Sequence, residues 1–114
     1  MNNSQLLKGI LEGCVLLVVS EKEVYGYEMV QKLKQLGFEN IVGGTVYPIL
    51  QKLEKKEYLS SRMKPSSEGP DRKYYAITAL GKEYMINFTN QWQELTNIVN
   101  NIITKQGGNS NGQQ

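Results

Sequence analysis

The last third of the 114-residue chain carries apolar residues at heptad spacing, and this pattern restricts the fold more than any other feature. The steps alternate between three and four residues, through Met85, Phe88, Trp92, Leu95, Val99 and Ile102. Such spacing, kept over more than two heptads, predicts a long helix with one continuous apolar seam. We expect this helix over residues 79–105, with Thr78 as its cap.

Composition argues against catalysis and against a metal site. The chain has no histidine, so it lacks the commonest general base and the commonest nitrogen ligand of metals. Its one cysteine, Cys14, lies in an apolar run, where a free thiol usually packs as a small hydrophobic group. We therefore expect no catalytic residue, no metal and no cofactor, and the chain is not predicted to be an enzyme.

Length and patterning predict one small protein of the cytoplasm. A single cysteine permits no disulfide within the chain, which fits a reducing compartment. The most apolar run covers residues 14–19, whereas a membrane-spanning helix needs about 20 residues. We divide the chain into residues 1–77, a helical last segment at 78–106, and a disordered polar tail at 107–114.

Two helices are predicted before the centre of the chain. Residues 4–19 are apolar on more than one side. Gly9 and Gly13 would allow another helix to approach closely, and the alternative is that the helix simply tolerates them. After a polar turn at 20–24, residues 25–36 form the second helix, with Gly37 as its stop. Its inner stripe is predicted to comprise Tyr25, Met29, Leu33 and Leu36. Residues 38–42 are predicted to be a short extended connector.

The third helix has an unusual beginning, "GGTVYP" at 43–48. Its inward stripe follows helical spacing, at Val46, Ile49, Leu50 and Leu53. Because proline has no N–H, Pro48 is best placed in the first turn, which favours Thr45 as the N-cap. A start nearer Gly43 is the alternative, and it requires a loosened or kinked first turn.

Residues 58–64 and 72–77 have the composition of two antiparallel strands. The segment between them, "PSSEGPD", predicts a mobile connector. Tyr75 and Ile77 share the predicted core face of the second strand. The order of elements is thus helix, helix, helix, hairpin and long helix. This is mainly α with a small β-hairpin, an α+β winged helix-turn-helix.

The positive charge is concentrated on the third helix and the hairpin. Residues 52–73 carry seven lysines and arginines and four acidic residues, although the whole chain has a net charge of only +2. These are the two elements that a winged helix offers to a DNA duplex. A solvated lysine face is the ordinary alternative for the lysines alone, but the hairpin charges and the Gly-Gly entry favour DNA.

Each candidate DNA-binding residue has a chemical role. Glycine at position 44 permits close approach of the backbone, and the hydroxyls of Thr45 and Tyr47 can donate to phosphate. Gln51 can read an adenine edge. The remaining candidates are cations that neutralise phosphates, and they are Lys52, Lys55, Lys64, Arg72 and Lys73.

The chain resembles the PadR family of bacterial transcriptional regulators, in its branch with a short C-terminal helix. The resemblance rests on "LLKGILEGCVL" (6–16), "YGYEM" (25–29), "GGTVYPILQKLE" (43–54), "RKYYAITALGKE" (72–83) and the tryptophan-bearing helix that follows. It implies a homodimer, usually a repressor, dimerised through its last helix against the partner's first and last helices. Two identical basic faces related by a two-fold axis would favour an inverted-repeat operator. The resemblance would also explain Gly9 and Gly13 as a close-contact face.

The resemblance adds one departure and one ligand hypothesis. Where the family usually has glycine after the third helix, this chain has Glu57, so a backbone with positive φ would be strained. In the multidrug-sensing branch, a tryptophan in the last helix stacks planar aromatic ligands. Phe88, Trp92 and Leu95 could therefore line an effector site with their partner copies, and plain dimer packing is the alternative. A winged helix that binds another protein instead of DNA is the second functional hypothesis.

Overall fold

The computed structural model describes residues 4–111, with the side chains at 4–6, 8, 9 and 107–111 left undescribed. Its elements in chain order are α1 (Ser4–Glu21), β1 (Val24–Tyr25), α2 (Gly26–Gln35), α3 (Gly43–Lys55), β2 (Leu59–Ser66), β3 (Gly69–Ile77) and α4 (Ala79–Asn111). The predicted α+β winged helix with a long last helix is confirmed. No helix in the described part is both long and apolar enough to cross a membrane.

The sheet has three strands, in the order β1-β3-β2, and is antiparallel throughout. The predicted turn at 20–24 is wrong for Val24, which belongs to strand β1. Val24 pairs with Tyr75 and is fully buried. Tyr25 pairs with Tyr74 and is the N-cap of α2 rather than a residue of its inner stripe. This two-residue strand thus adds a third strand to the hairpin and continues directly into α2.

The hairpin is longer than the sequence predicted. β2 and β3 run into the expected connector and leave only Ser67 and Glu68 at the turn. Pairing shifts register between Lys64 and Ser66, so the strand accommodates Pro65, which has no N–H for the ladder. Tyr75 is buried and Ile77 packs against the core, as predicted.

The core lies between α1, α2, α3 and the sheet. Its fully buried side chains include Val15, Leu16, Met29, Leu33, Val46, Leu50, Leu53 and Leu59. Leu36 does not belong to the predicted inner stripe of α2, because its side chain is 66% exposed. The segment 38–42 is a turn rather than an extended connector, and the Ile41 N–H donates to the Phe38 carbonyl over 3.2 Å. This turn returns Ile41 to the core.

Helix α3 begins at Gly43, which settles the question raised by Pro48. The Val42 carbonyl accepts hydrogen bonds from the Thr45 and Val46 N–H groups, so Val42 is the N-cap and Thr45 is not. Pro48 therefore lies inside the helix and cannot donate to the carbonyl of Gly44. The predicted stripe holds, with Val46, Leu50 and Leu53 buried and Ile49 partly buried.

Two glycines let α4 approach the rest of the fold. A β-carbon on Gly13 would collide with the ring of Phe88, so the predicted close approach at this position is made by α4 of the same chain. Gly9 lies outside the described side chains. A β-carbon on Gly81 would collide with the carbonyl oxygen of Tyr58. Thr78 caps α4 as predicted, by accepting from the Gly81 N–H over 2.9 Å.

The backbone of α4 continues to Asn111. The predicted tail begins at 107, and its residues 112–114 lie outside the described part, so its disorder stays a prediction. Beyond the contact between α4 and α1, the seam of α4 is open to solvent in the single chain. Its exposed apolar residues include Trp92, Leu95, Ile98, Val99, Ile102 and Ile103.

The end of α3 carries the strain expected at Glu57. Its φ is +67°, the left-handed conformation that glycine adopts without cost. Glu57 donates its N–H to the Glu54 carbonyl and Tyr58 donates to the Leu53 carbonyl, which is the Schellman arrangement. The Thr78 hydroxyl donates to the Glu57 carbonyl over 2.7 Å and links the strained residue to the start of α4.

We expect Glu57→Gly to raise the free energy of unfolding by up to about 1 kcal/mol, since glycine removes the left-handed strain. The matched control is Glu57→Ala, which removes the charge but keeps the β-carbon and should give no such gain. Urea denaturation measures both variants. A Glu57→Gly protein no more stable than Glu57→Ala would contradict the assigned strain.

Candidate nucleic-acid interface

One side of α3 faces solvent because the opposite side is buried. We call this side the exposed face of α3, and its residues are Gly44, Thr45, Tyr47, Pro48, Gln51, Lys52 and Lys55. All six α3 residues predicted to bind DNA belong to it. The helical period places Gly44, Gln51 and Lys55 near its centre, with Tyr47 on one flank and Lys52 on the other.

Tyr47 joins the beginnings of α2 and α3. A β-carbon on Gly26 or on Gly43 would lie 2.8 Å from the Tyr47 ring, so both positions need glycine for this contact. The ring thus fills the space between two helix N-termini, while 43% of the residue remains exposed. Tyr47 therefore has a packing role that the sequence did not predict, in addition to the hydroxyl that it offers outside.

A cleft of about 490 Å³ lies between the start of α2, α3 and β3. Its lining brings together four of the predicted DNA-binding residues, Tyr47, Gln51, Arg72 and Lys73. It also includes Gly26 and Tyr27 at the N-terminus of α2, which the sequence analysis did not select. Tyr27 is 60% exposed although it is aromatic, and this exposure becomes visible only in the fold.

Thr45 and Lys52 lie on the other flank of α3, beside α1. They line a cavity of about 650 Å³ together with Leu11, Glu12 and Ile49, among others. The Lys52 ammonium is 2.7 Å from the Glu12 carboxylate, and this hydrogen bond raises the pKa of Lys52. Lys52 therefore keeps its charge but shares it with an acidic partner from α1.

The outer face of the sheet, opposite buried Tyr75, alternates aromatic rings and cations. Tyr25 and Tyr74 meet edge to face with ring centres 5.3 Å apart. The Arg72 guanidinium lies 4.5 Å from the centre of the Tyr25 ring, and the Lys64 ammonium lies 4.3 Å from that of Tyr74. Such cation–π contacts hold Arg72 and Lys64, two of the three predicted hairpin cations, against the strands.

Glu23, just before β1, pairs with two cations of β2. Its carboxylate is 2.7 Å from the Lys64 ammonium and 3.1 Å from the Arg62 guanidinium. The hydrogen bonds from Lys64 and Arg62 hold the pKa of Glu23 below its ordinary value. Arg62, counted in the sequence only as part of the charge, thus belongs to the same surface as Lys64.

Glu54 attaches α3 to both strands of the hairpin. Its carboxylate accepts a hydrogen bond from the Ser61 hydroxyl and lies 2.9 Å from the Lys73 ammonium. These two hydrogen bonds lower the pKa of Glu54, and the hydrogen bond that Lys73 donates to Glu54 raises the pKa of Lys73. Lys73 therefore lies against α3 in the free protein instead of extending freely towards a duplex.

Lys55 has no ion pair among the described residues, and it lies near the centre of the exposed face of α3. Gly44 is equally open, since a β-carbon there would meet no atom within 4 Å. Packing within the chain therefore does not require glycine at position 44, which agrees with the close approach of a partner there. Lys55 and Gly44 are thus two predicted site residues that contacts within the described chain leave open.

The three residues predicted to bind an effector lie along α4 but differ in their exposure to solvent. Phe88 is half-buried against Gly13 of α1, whereas Trp92 and Leu95 are 45% and 57% exposed along the same seam of α4. Cys14 is half-buried nearby, and burial raises the pKa of its thiol, as fits a packing role. Over the described residues, no group of three or more acidic or cysteine side chains is placed to hold a metal ion.

Comparison with known proteins identifies the type of molecule to which this interface belongs. Residues 15–87 match the Transcriptional regulator PadR-like family, and this range covers α2, α3 and the whole hairpin. The chain belongs to the PadR-like family of transcriptional regulators. This family consists of transcriptional regulators rather than enzymes, which implies that the chain binds DNA.

Solved structures of relatives agree over nearly the whole chain. A Streptococcus transcriptional regulator is 52% identical, with a TM-score of 0.79 over 86% of this chain and 96% of its own. A PadR-like transcriptional regulator from Bacillus cereus is 43% identical, with a TM-score of 0.79 over 87% and 96%. Among relatives compared by sequence, an uncharacterized protein from Lysinibacillus sphaericus is 36% identical over 87% of this chain and 93% of its own.

The contact between Glu54 and the hairpin predicts part of the acid sensitivity of the fold. Because folding lowers the pKa of Glu54 from about 4.5, its contribution to stability is complete above that pH and is lost as the pH falls through the folded value. We expect Glu54→Gln to lose less stability than the wild type between neutral pH and pH 3, measured by urea denaturation. Glu68→Gln, at the hairpin tip, is the control and should follow the wild type; identical profiles for all three would contradict the role of Glu54.

Proposed function

We propose that this PadR-like regulator is a homodimeric repressor that binds an inverted-repeat operator through the exposed face of α3 and the hairpin. The observation that carries the proposal is the orientation of α3. Its apolar stripe is buried, while Gly44, Gln51 and Lys55 face solvent on the opposite side. A helix presented in this way fits the major groove, where side chains reach base edges.

The predicted contacts divide by chemistry. Gln51 is the residue suited to a base edge, since its amide can donate and accept at adenine. Lys55 and the hydroxyls of Tyr47 and Thr45 are suited to phosphate, and the bare backbone at Gly44 lets a phosphate or sugar come close. Arg72 and Lys64, held against tyrosine rings at the hairpin, are placed for the flanking backbone.

We expect Lys55→Ala to weaken binding to operator and random duplexes alike, and to reduce the slope of log affinity against log salt by about 0.9, the loss of one phosphate contact. Fluorescence anisotropy with labelled duplexes measures both quantities. The control is Lys34→Ala, an exposed lysine in the last turn of α2, which should change neither. An unchanged slope in Lys55→Ala would remove Lys55 from the interface.

The dimer is proposed from the apolar surface that the single chain leaves open. Leu95, Val99 and Ile102 are each about half exposed along one seam of α4, and an exposed apolar stripe of this length is typical of an interface. A complementary groove of about 290 Å³ lies between α1 and α2, lined by Cys14, Leu17, Val18, Leu33, Leu36 and Phe38, among others. A second copy would cover both surfaces, and its two-fold symmetry favours an inverted repeat.

We expect Leu95→Glu to convert the protein to a monomer and to weaken operator binding, because each seam would then bury a carboxylate. Leu95 lies outside the core of the domain, so the monomer should stay folded by circular dichroism. Sedimentation equilibrium measures the mass, and Asn97→Glu places the same charge on another side of α4 as the control. A wild-type monomer at micromolar concentration would contradict the dimer.

Release by a small planar aromatic or phenolic ligand is the proposed regulation. Trp92 and Leu95 are exposed on the seam beside Phe88, so two copies would bring these side chains together near the two-fold axis. Aromatic faces of this kind favour offset stacking with flat ligands.

Because the chain has a single tryptophan, its fluorescence reports this site alone. We expect planar drugs and phenolic acids, added to the dimer, to change Trp92 emission in a saturable way and to lower operator affinity in a gel shift. Trp92→Leu, which keeps an apolar side chain in the seam, should still bind DNA but should lose its response to the ligand. No change of emission at the solubility limit would leave dimer packing as the role of Trp92.

A further inference from the structure

The carboxylate of Glu23 is an anion that two cations of the hairpin bind. Its Oε1 lies 2.7 Å from the Lys64 Nζ and 3.1 Å from the Arg62 Nη2, and its Oε2 lies 3.2 Å from the same arginine nitrogen. One carboxylate thus partly neutralises the positive charge of two side chains. Both cations belong to β2, and the Lys64 ammonium also lies 4.3 Å from the centre of the Tyr74 ring on β3.

The backbone beside Glu23 is held in place by Val24 rather than by the two cations. Val24 is fully buried and pairs with Tyr75, so the chain at this point cannot move away from the sheet without opening the core. Arg62, in contrast, has a side chain that is 68% exposed, on a hairpin that ends in solvent. The backbone that carries the anion is therefore held in position, while the exposed side chain of Arg62 has room to rotate towards another acceptor.

This contact contributes little as a stabiliser, because exposed ion pairs gain little over hydration. Its larger effect is on the binding of other anions by Arg62 and Lys64. Carboxylate and phosphate oxygens are equivalent acceptors for guanidinium and ammonium groups. A duplex that engages the hairpin must therefore replace the Glu23 oxygens on Arg62 and Lys64 by its own phosphate oxygens.

We propose that Glu23 is an intramolecular competitor of DNA phosphate, which holds Arg62 and Lys64 and lowers the affinity of the hairpin for DNA of any sequence. The inference rests on the proposed DNA-binding role of the hairpin. Binding without sequence preference depends almost wholly on phosphate neutralisation. Competition at two of the hairpin cations therefore acts most directly on binding to random DNA, from which a regulator must be free to reach its operator.

The test compares Glu23→Gln with wild type on a random-sequence duplex, by anisotropy over a range of salt concentrations. Glutamine has the same shape but no charge, so Arg62 and Lys64 become available. We expect at least about threefold tighter binding at low ionic strength and a slope steeper by about one to two. Glu68→Gln is the matched control, because it makes the same charge change on the hairpin at a residue without an ion pair among those described.

A second comparison separates competition from general repulsion of the duplex. In a protein that carries Arg62→Ala and Lys64→Ala, the further change Glu23→Gln should bring no gain, since no cation remains to be released. A gain that persists there, an equal gain in Glu68→Gln, or an unchanged or lower affinity of Glu23→Gln would each overturn the inference. Wild-type protein that binds no duplex at low salt would overturn the proposed function as well, so the two failures are distinguishable.

Discussion

The burial of one stripe of α3 determines the rest of the interface. Val46, Leu50 and Leu53 are essentially inaccessible to water, packed between α1, α2 and the sheet. Burying a side chain of this size contributes about 1.5–3 kcal/mol, whereas an exposed ion pair contributes about 0–1 kcal/mol. The orientation of α3 is therefore set by its apolar side, and the charged contacts around it can exchange partners without unfolding the domain.

This difference in strength explains how several cations of the candidate interface can be ion-paired in the free protein. Lys52 pairs with Glu12, Lys73 with Glu54, and Arg62 and Lys64 with Glu23. None of these contacts holds the elements together by itself, because the core does so. The glutamates order long basic side chains on the surface, and in the proposed complex the phosphates of the duplex would take the place of these glutamates.

The sequence predicted those features that depend on local periodicity and missed those that depend on distant partners. The stripe of α3, the seam of α4 and the cap at Thr78 each follow from residues within a few positions of one another. Strand β1 was missed because it has two residues, and its partner Tyr75 lies about 50 positions away. The pairs of Glu12 and Glu23 join residues about 40 positions apart, and no local pattern reveals them. Pro48 left two possible starts for α3, which the hydrogen bonds to Val42 resolve.

Protection of lysines from chemical acetylation by bound DNA tests the central claim, that the buried stripe turns the opposite side of α3 towards the duplex. Mass spectrometry of protein acetylated with and without a saturating operator duplex reports every lysine in one experiment. The account predicts strong protection of Lys55 and of Lys64 and unchanged reactivity of Lys34. Protection of Lys34 with Lys55 still reactive would show that another surface binds DNA and would contradict the account.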